Sequence, residues 1–150
     1  MKKLNRKSIT TIAVFAVILV LNVVMLCLPA FGAYKGSVKS DSVTTTYTLE
    51  YKGNSEIKCT TAIKSGSSES KNSTTYDVKY NATDKRWESK NLGLKISERK
   101  SVFAHNYGDV KVTSTLAIVM QVVFALGYVV CIALFVLDLN GGKGKKRSRR

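Results

Sequence analysis

The residues able to do chemistry are few and far apart. His105 is the single histidine in 150 residues. No cysteine or second histidine stands at ligand spacing from it, which argues against a zinc site. The acids of the central region occur singly, so no pair suits general acid–base work. A Ser/His/Asp relay has no basis either, since "HNYGD" reads as a surface or packing histidine near a turn. No catalytic, cofactor-binding or metal-ligating residue is assigned, and the chain reads as a binder rather than an enzyme. The stretch "DKRWESK" gathers Lys85, Arg86 and Lys90 round Trp87. It reads as a solvated turn with one anchoring aromatic, the alternative being a contact to an acidic ligand or lipid headgroup.

Two residues invite modification. Asn72 in "NST" and Asn81 in "NAT" match the N-glycosylation pattern. Composition alone would yield about this many triplets, so placement carries the argument: Asn72 is expected in a polar loop and Asn81 at a strand end. Cys59 is expected as a buried thiol on the apolar face of its strand, with an intermolecular disulfide as the alternative. Cys27 and Cys131 fall in apolar segments and read as small buried hydrophobes.

Two long apolar runs must position everything else. "ITTIAVFAVILVLNVVMLCLPAFGA" carries no charge from Ile9 to Ala33, and "LAIVMQVVFALGYVVCIALFVL" has Gln121 as its only strongly polar member. At ~1.5 Å rise per residue, about 20 residues cross a hydrocarbon core of roughly 30 Å. An apolar surface all round excludes an amphipathic core helix. The first run has the basic start of a secretory signal, and Ala30-Phe31-Gly32 would suit cleavage. Its length favours an uncleaved signal-anchor. The expected organisation is a cytoplasmic N-terminus 1–8, a first transmembrane helix 9–33, an extracellular or lumenal domain 34–112, a second transmembrane helix 113–138 and a basic tail 139–150.

Charge gives the sidedness. The formal net charge of +14 is concentrated at the ends, because residues 34–112 hold 14 Lys/Arg against 9 Asp/Glu. A nucleic-acid interface would spread its bases over one folded face, so nucleic acid is not an expected partner. Basic residues stay on the cytoplasmic side, which places both termini there, in the plasma membrane or an endomembrane. Lys143, Lys145, Lys146, Arg147, Arg149 and Arg150 then face anionic lipid headgroups, each contributing about 1 kcal/mol. Arg147-Ser148-Arg149 also resembles an arginine-based retention signal. "GGKGKK" lacks the spacing of a phosphate loop.

Inside the apolar runs, Asn22 and Gln121 lie roughly 9 Å and 7.5 Å below the outer boundary. Matched depth on antiparallel helices predicts a mutual amide contact, with Ala117 and Ala125 flanking Gln121 to permit close approach. Otherwise these amides face a membrane-protein partner or a second copy.

Between the runs the periodicity becomes two. "SVTTTYTLEY" sets Val43, Thr45, Tyr47, Leu49 and Tyr51 on one side, and "EIKCTTAI" does the same with Ile57, Cys59, Thr61 and Ile63. With Lys52-Gly53-Asn54 between them they predict a β-hairpin. "SGSSESKNS" (65–73) reads as a mobile loop. Further strands are expected at "TTYDVKY", at "LGLKI" with Leu92, Leu94 and Ile96, and at "DVKV" leading into the second helix. The expected class is an α+β membrane protein whose two transmembrane helices flank a small antiparallel sheet of four or five strands. Cys59 is that region's only cysteine, so no internal disulfide can supplement its thin core.

These features predict a small two-pass membrane glycoprotein acting by binding, as an accessory or structural subunit or a cell-surface interaction protein. An oligomeric channel or transport component is the rival, although no charged residue lies within either run. A cleaved type I single-pass protein is the other. The order helix, β-rich outer segment, helix, short basic inner stretch resembles the first half of a claudin-like four-helix protein. The claudin pattern of a tryptophan followed by two cysteines is not met: Trp87 has no cysteine after it before the second run, and Cys59 precedes it.

Overall fold

The computed structural model describes residues 6–144, as two compact units. One unit, Met25–Val119, is β-structured. Its strands are β1 (Ala33–Ser40), β2 (Val43–Lys52), β3 (Glu56–Ser65), β4 (Ser68–Asn81), β5 (Arg86–Ser89), β6 (Lys95–Arg99), β7 (Ala104–Tyr107) and β8 (Val110–Ser114). Each pairs antiparallel with the next, and β8 returns to β1 through Tyr34↔Ser114 and Lys35↔Thr113. The sheet is therefore a closed eight-stranded barrel, not an open sheet of four or five strands. Closure removes most of the edge that an open sheet would expose.

The predicted alternation holds where it was strong. β2 and β3 pair over ten residues with Leu49 opposite Cys59, and Leu49, Ile57, Cys59, Val78, Trp87, Val112 and Tyr34 form the core. Three strands carry too little pattern to be read: β5 and β7 are four residues long, and β1 ("AYKGSVKS") has Tyr34 as its only buried residue. "LGLKI" was expected as one strand, but Leu92 and Leu94 are exposed and Gly93 turns the chain at φ 62°, so β6 begins at Lys95.

The expected loop 65–73 is mostly strand. Gly66 turns the chain at φ 57°, and β4 then pairs with β3 from Ser65↔Ser68 to Glu56↔Asp77. From Ser68 to Thr75 both faces of β4 are polar and exposed, so side-chain burial gives no signal there. Backbone pairing and the strand preference of threonine hold it, with Thr60 and Ser73 hydroxyls 2.9 Å apart. Among the described residues nothing pairs with the outer edge of Ser68–Tyr76. Glu69 and Lys71, joined at 3.0 Å, place charge along it, a common guard against edge-to-edge association.

Barrel closure depends on Gly36. A Cβ there would lie 2.4 Å from the Lys111 carbonyl oxygen and 2.9 Å from Val112 Cγ1. Gly36→Ala is expected to cost about 1–3 kcal/mol. In urea, the unfolding midpoint followed by Trp87 fluorescence should fall. An unmoved midpoint would mean that β1 and β8 do not approach so closely.

The other unit holds most of two helices, α1 (Arg6–Cys27) and α2 (Thr115–Gly144). α1 ends before Pro29 instead of running to residue 33, as a proline disfavours helix in the residue before it. Within this unit Phe15 packs on Tyr128 with centroids 5.3 Å apart, and Ile18 meets Gly127. Ser8 donates to the Asp138 carboxylate. Ser114 caps the start of α2, its hydroxyl accepting from the Ala117 N–H at 3.2 Å. The last turn of α1 receives Arg99, whose guanidinium donates to the Leu26 carbonyl at 2.9 Å.

Candidate functional site

The densest polar cluster is inside the barrel. β1 supplies Tyr34, β2 Tyr51, β5 Trp87, β6 Ser97 and β7 His105. His105, expected near the surface or in packing, is fully buried. It stacks on Tyr34 at 4.0 Å and lies 5.0 Å from the Trp87 ring. Trp87, expected on a solvated turn, is also fully buried, opposite Tyr80 in the register of β4 and β5. Lys85 and Arg86 stay outside, where Arg86 pairs with Asp84 at 3.1 Å and with Glu88.

The hydrogen bonds of this cluster run in one chain from His105 to the Asn106 carbonyl. The Asn106 carbonyl only accepts, so the Ser97 hydroxyl, 3.2 Å away, donates to it. Ser97 then accepts from Tyr51 at 2.6 Å, which uses the phenol's one proton. His105 Nδ1 lies 2.7 Å from the same phenol oxygen, the arrangement in which it donates to Tyr51 being the one that completes the chain. Nε2 makes no hydrogen bond within normal reach. Burial, with the nearby Arg99 charge, pushes the His105 pKa down to about 3, although the Pro29 and Ser101 carbonyls oppose the shift. Burial also raises Tyr51 far above the usual phenol range, against the opposing Ser97 bond. Neither group exchanges protons near neutrality. The cluster is a polar core that ties together side chains of five strands.

On the barrel surface, a cleft of about 430 Å³ is lined by Tyr47, Lys95, Ile96, Tyr107, Asp109 and Val110. The two rings lie 5.5 Å apart and tilted. Lys95 and Lys100 both bond Glu98, and these bonds hold its carboxyl down at about 2. No cluster of three or more His, Cys, Asp or Glu among the described residues is placed to hold a metal ion.

The residues singled out from sequence fall in different places. Asn72 is exposed in β4, opposite Thr61, and so lies on a strand and not in a loop. Asn81 does end β4, but its amide is occupied: Oδ1 accepts from the Thr83 and Asp84 N–H groups at 3.1 and 3.2 Å. Cys59 is a free thiol only 3% exposed, so its sulfur has no access to a second chain, and the intermolecular disulfide falls away. Lys143 lies in the backbone of α2, while Lys145, Lys146, Arg147, Arg149 and Arg150 lie outside the described residues.

The helical amides do not meet. Asn22 donates to the Tyr128 hydroxyl at 3.1 Å. Tyr128 is seven residues beyond Gln121, or about 10 Å along α2. The register of the two helices is close to the one expected, with Phe15 on Tyr128, Ile18 on Gly127 and Ser8 on Asp138, but Asn22 is met by the long Tyr128 side chain instead of by Gln121. Ala117 is buried and Ala125 exposed. No protein family, curated protein or solved structure matches the chain.

Proposed function

We propose that the chain is a small two-pass membrane glycoprotein that acts by binding, presenting the eight-stranded barrel on the outer face as an accessory subunit or cell-surface interaction protein. One observation carries the membrane reading: each candidate span is a helix of 22 or 26 residues whose most apolar 18-residue stretch is only 11% buried. Val20, Leu126 and Leu137, for example, are 60%, 61% and 67% exposed. Hydrocarbon would cover these side chains, whereas water would leave an apolar surface far larger than soluble monomers carry. The Asn22–Tyr128 contact supports retention of α1, since cleavage would remove the hydrogen bond that the Tyr128 hydroxyl accepts. In this reading Asn72 is the glycan acceptor in a eukaryotic host, its amide free of the bonds that occupy Asn81. The basic residues Lys143–Arg150 rest on anionic headgroups inside.

Impermeant maleimide applied to intact cells tests the sidedness. Ser67→Cys, in the exposed β3–β4 turn, should gain label over the parent chain before permeabilisation. Ser148→Cys should gain it only afterwards. The reverse order would overturn the reading, and an intact mass beginning near residue 33 would replace two passes with one.

A further inference from the structure

Asn72 stands in line with the surface cleft of the barrel. β1 meets β8 only at Tyr34 and Lys35, and β4 meets β5 only from Val78 to Asn81. The remaining lengths of β1–β4 extend past the closed barrel as a four-stranded ribbon. In its register Gly36 is opposite Tyr47, Tyr47 opposite Thr61, and Thr61 opposite Asn72. Cross-strand partners share a face, and this row lies two residues beyond Tyr34, Leu49 and Cys59, so it continues the inner face of the barrel. We propose that the glycan carried by Asn72 folds back along this row, and that its two innermost N-acetylhexosamine residues pack in the cleft between Tyr47, Tyr107, Lys95 and Asp109. The inference rests on the glycoprotein reading above, and it names where that glycan is held.

Position supplies the occupant. Asn72 is exposed, and its side chain makes no hydrogen bond within the described residues. Two strand spacings separate it from Tyr47, roughly 10 Å, which two linked sugars cover. Only Thr61 stands between them, with a side chain short enough to pass over. The cleft opens at the end of the barrel marked by the β7–β8 turn, the end from which the ribbon extends. Attachment to the same chain makes docking intramolecular, so weak contacts suffice.

The chemistry of the cleft matches a sugar. The Tyr47 and Tyr107 rings, with Ile96 and Val110, offer apolar surface to the C–H face of a pyranose. Asp109 is exposed, makes no ion pair among the described residues, and accepts from hydroxyl or acetamido N–H groups. Lys95 gives one ammonium proton to Glu98 and keeps two for sugar oxygens. One carboxylate beside one ammonium suits a neutral ligand with donors and acceptors better than an ion of either sign. The next row of the ribbon, Val38, Thr45, Ile63 and Ser70, is also uncharged. Its Val38 and Ile63 are 46% and 45% exposed, and a glycan lying along the neighbouring row shields part of both.

The test uses the full chain expressed in a eukaryotic cell and purified in a neutral detergent. The folded chain is digested with peptide N-glycosidase, and the Asn72 peptide is followed by mass. The enzyme must grip the two innermost sugars, so release tracks the undocked fraction. Tyr47→Thr should speed release about two- to tenfold, the range for one aromatic contact. Asp109→Ala should speed it in the same direction from an exposed turn, with an unchanged thermal melt showing that the barrel is intact. Lys64→Gln, on the outer face of the same ribbon, should leave the rate in place. Wild-type release as fast as in both cleft variants overturns the proposal. Soluble diacetylchitobiose should bind the Asn72→Gln chain more tightly than the glycosylated one, whose cleft is filled. Equal binding to the two would overturn the proposal by showing a cleft open to sugars from outside. A chain that carries sugar at Asn72 and fails these tests refutes only the docking, whereas a chain that carries none refutes the glycoprotein reading with it.

Discussion

Acidification from pH 7 to pH 5 is expected to destabilise the barrel by about 2 kcal/mol. His105 titrates near 6.5 in an unfolded chain and is held down to about 3 in the barrel. Between those values the unfolded chain binds a proton that the folded one refuses, so stability rises with pH across the window. The contribution is complete above 6.5 and falls by about 1.4 kcal/mol for each unit below it. For a unit of this size the loss corresponds to roughly 8–16 °C in melting temperature.

Glu98 confuses the measurement only at lower pH. Its lowered pKa of about 2 gives a stabilisation present above 4.5 and lost as pH falls toward 2. The interval from pH 6.5 to 5 therefore isolates the histidine. Thermal melts of the full chain in a neutral detergent, followed by Trp87 fluorescence, should show a midpoint falling through that interval. His105→Phe keeps a ring to stack on Tyr34 and removes the titration, so its midpoint should stay level there. A level wild-type midpoint, or a Phe variant that keeps the slope, would mean that His105 is not buried neutral.

The difference between what was legible and what was not follows the range of the interactions. α1 and α2 declare themselves through runs of ten or more consecutive apolar residues each. β2 and β3 do so because Tyr47, Leu49, Tyr51, Ile57 and Cys59 alternate over long strands. In β5 and β7, four residues leave room for at most two inward side chains, too few for a period to stand out. Barrel closure is less visible still. It depends on β8 meeting β1 some eighty residues earlier, at a glycine whose missing side chain matters only beside the Lys111 carbonyl. The polar half of β4 has no burial pattern at all, since backbone pairing alone makes it a strand. Asn22 stands out in sequence as a polar residue of an apolar run, but its partner depends on which facing side chain is long enough and turned toward it, which composition does not encode. His105 and Trp87 sit among lysines and turn-forming residues, and their neighbours in sequence concealed their neighbours in space.

Trp87→Ala should separate the two readings of that tryptophan most sharply. An anchoring aromatic on a solvated turn would cost within about 0.5 kcal/mol on truncation. The ring is instead fully buried, with Tyr51 at 4.5 Å, Tyr80 at 4.6 Å and His105 at 5.0 Å. Its removal should cost about 3–5 kcal/mol, because the short β5 offers no second large side chain to refill the space. Trp87→Phe is the informative companion. Trp87 Nε1 is buried without a hydrogen-bond acceptor, so the indole already bears a desolvation penalty that phenylalanine would relieve. That gain offsets part of the lost volume, and the Phe variant should lose less than half of what the Ala variant loses. Circular dichroism melts serve for both, since the fluorescent reporter is gone. Equal losses for Phe and Ala would point to an acceptor for Nε1, and a loss under 1 kcal/mol for Ala would return Trp87 to the surface.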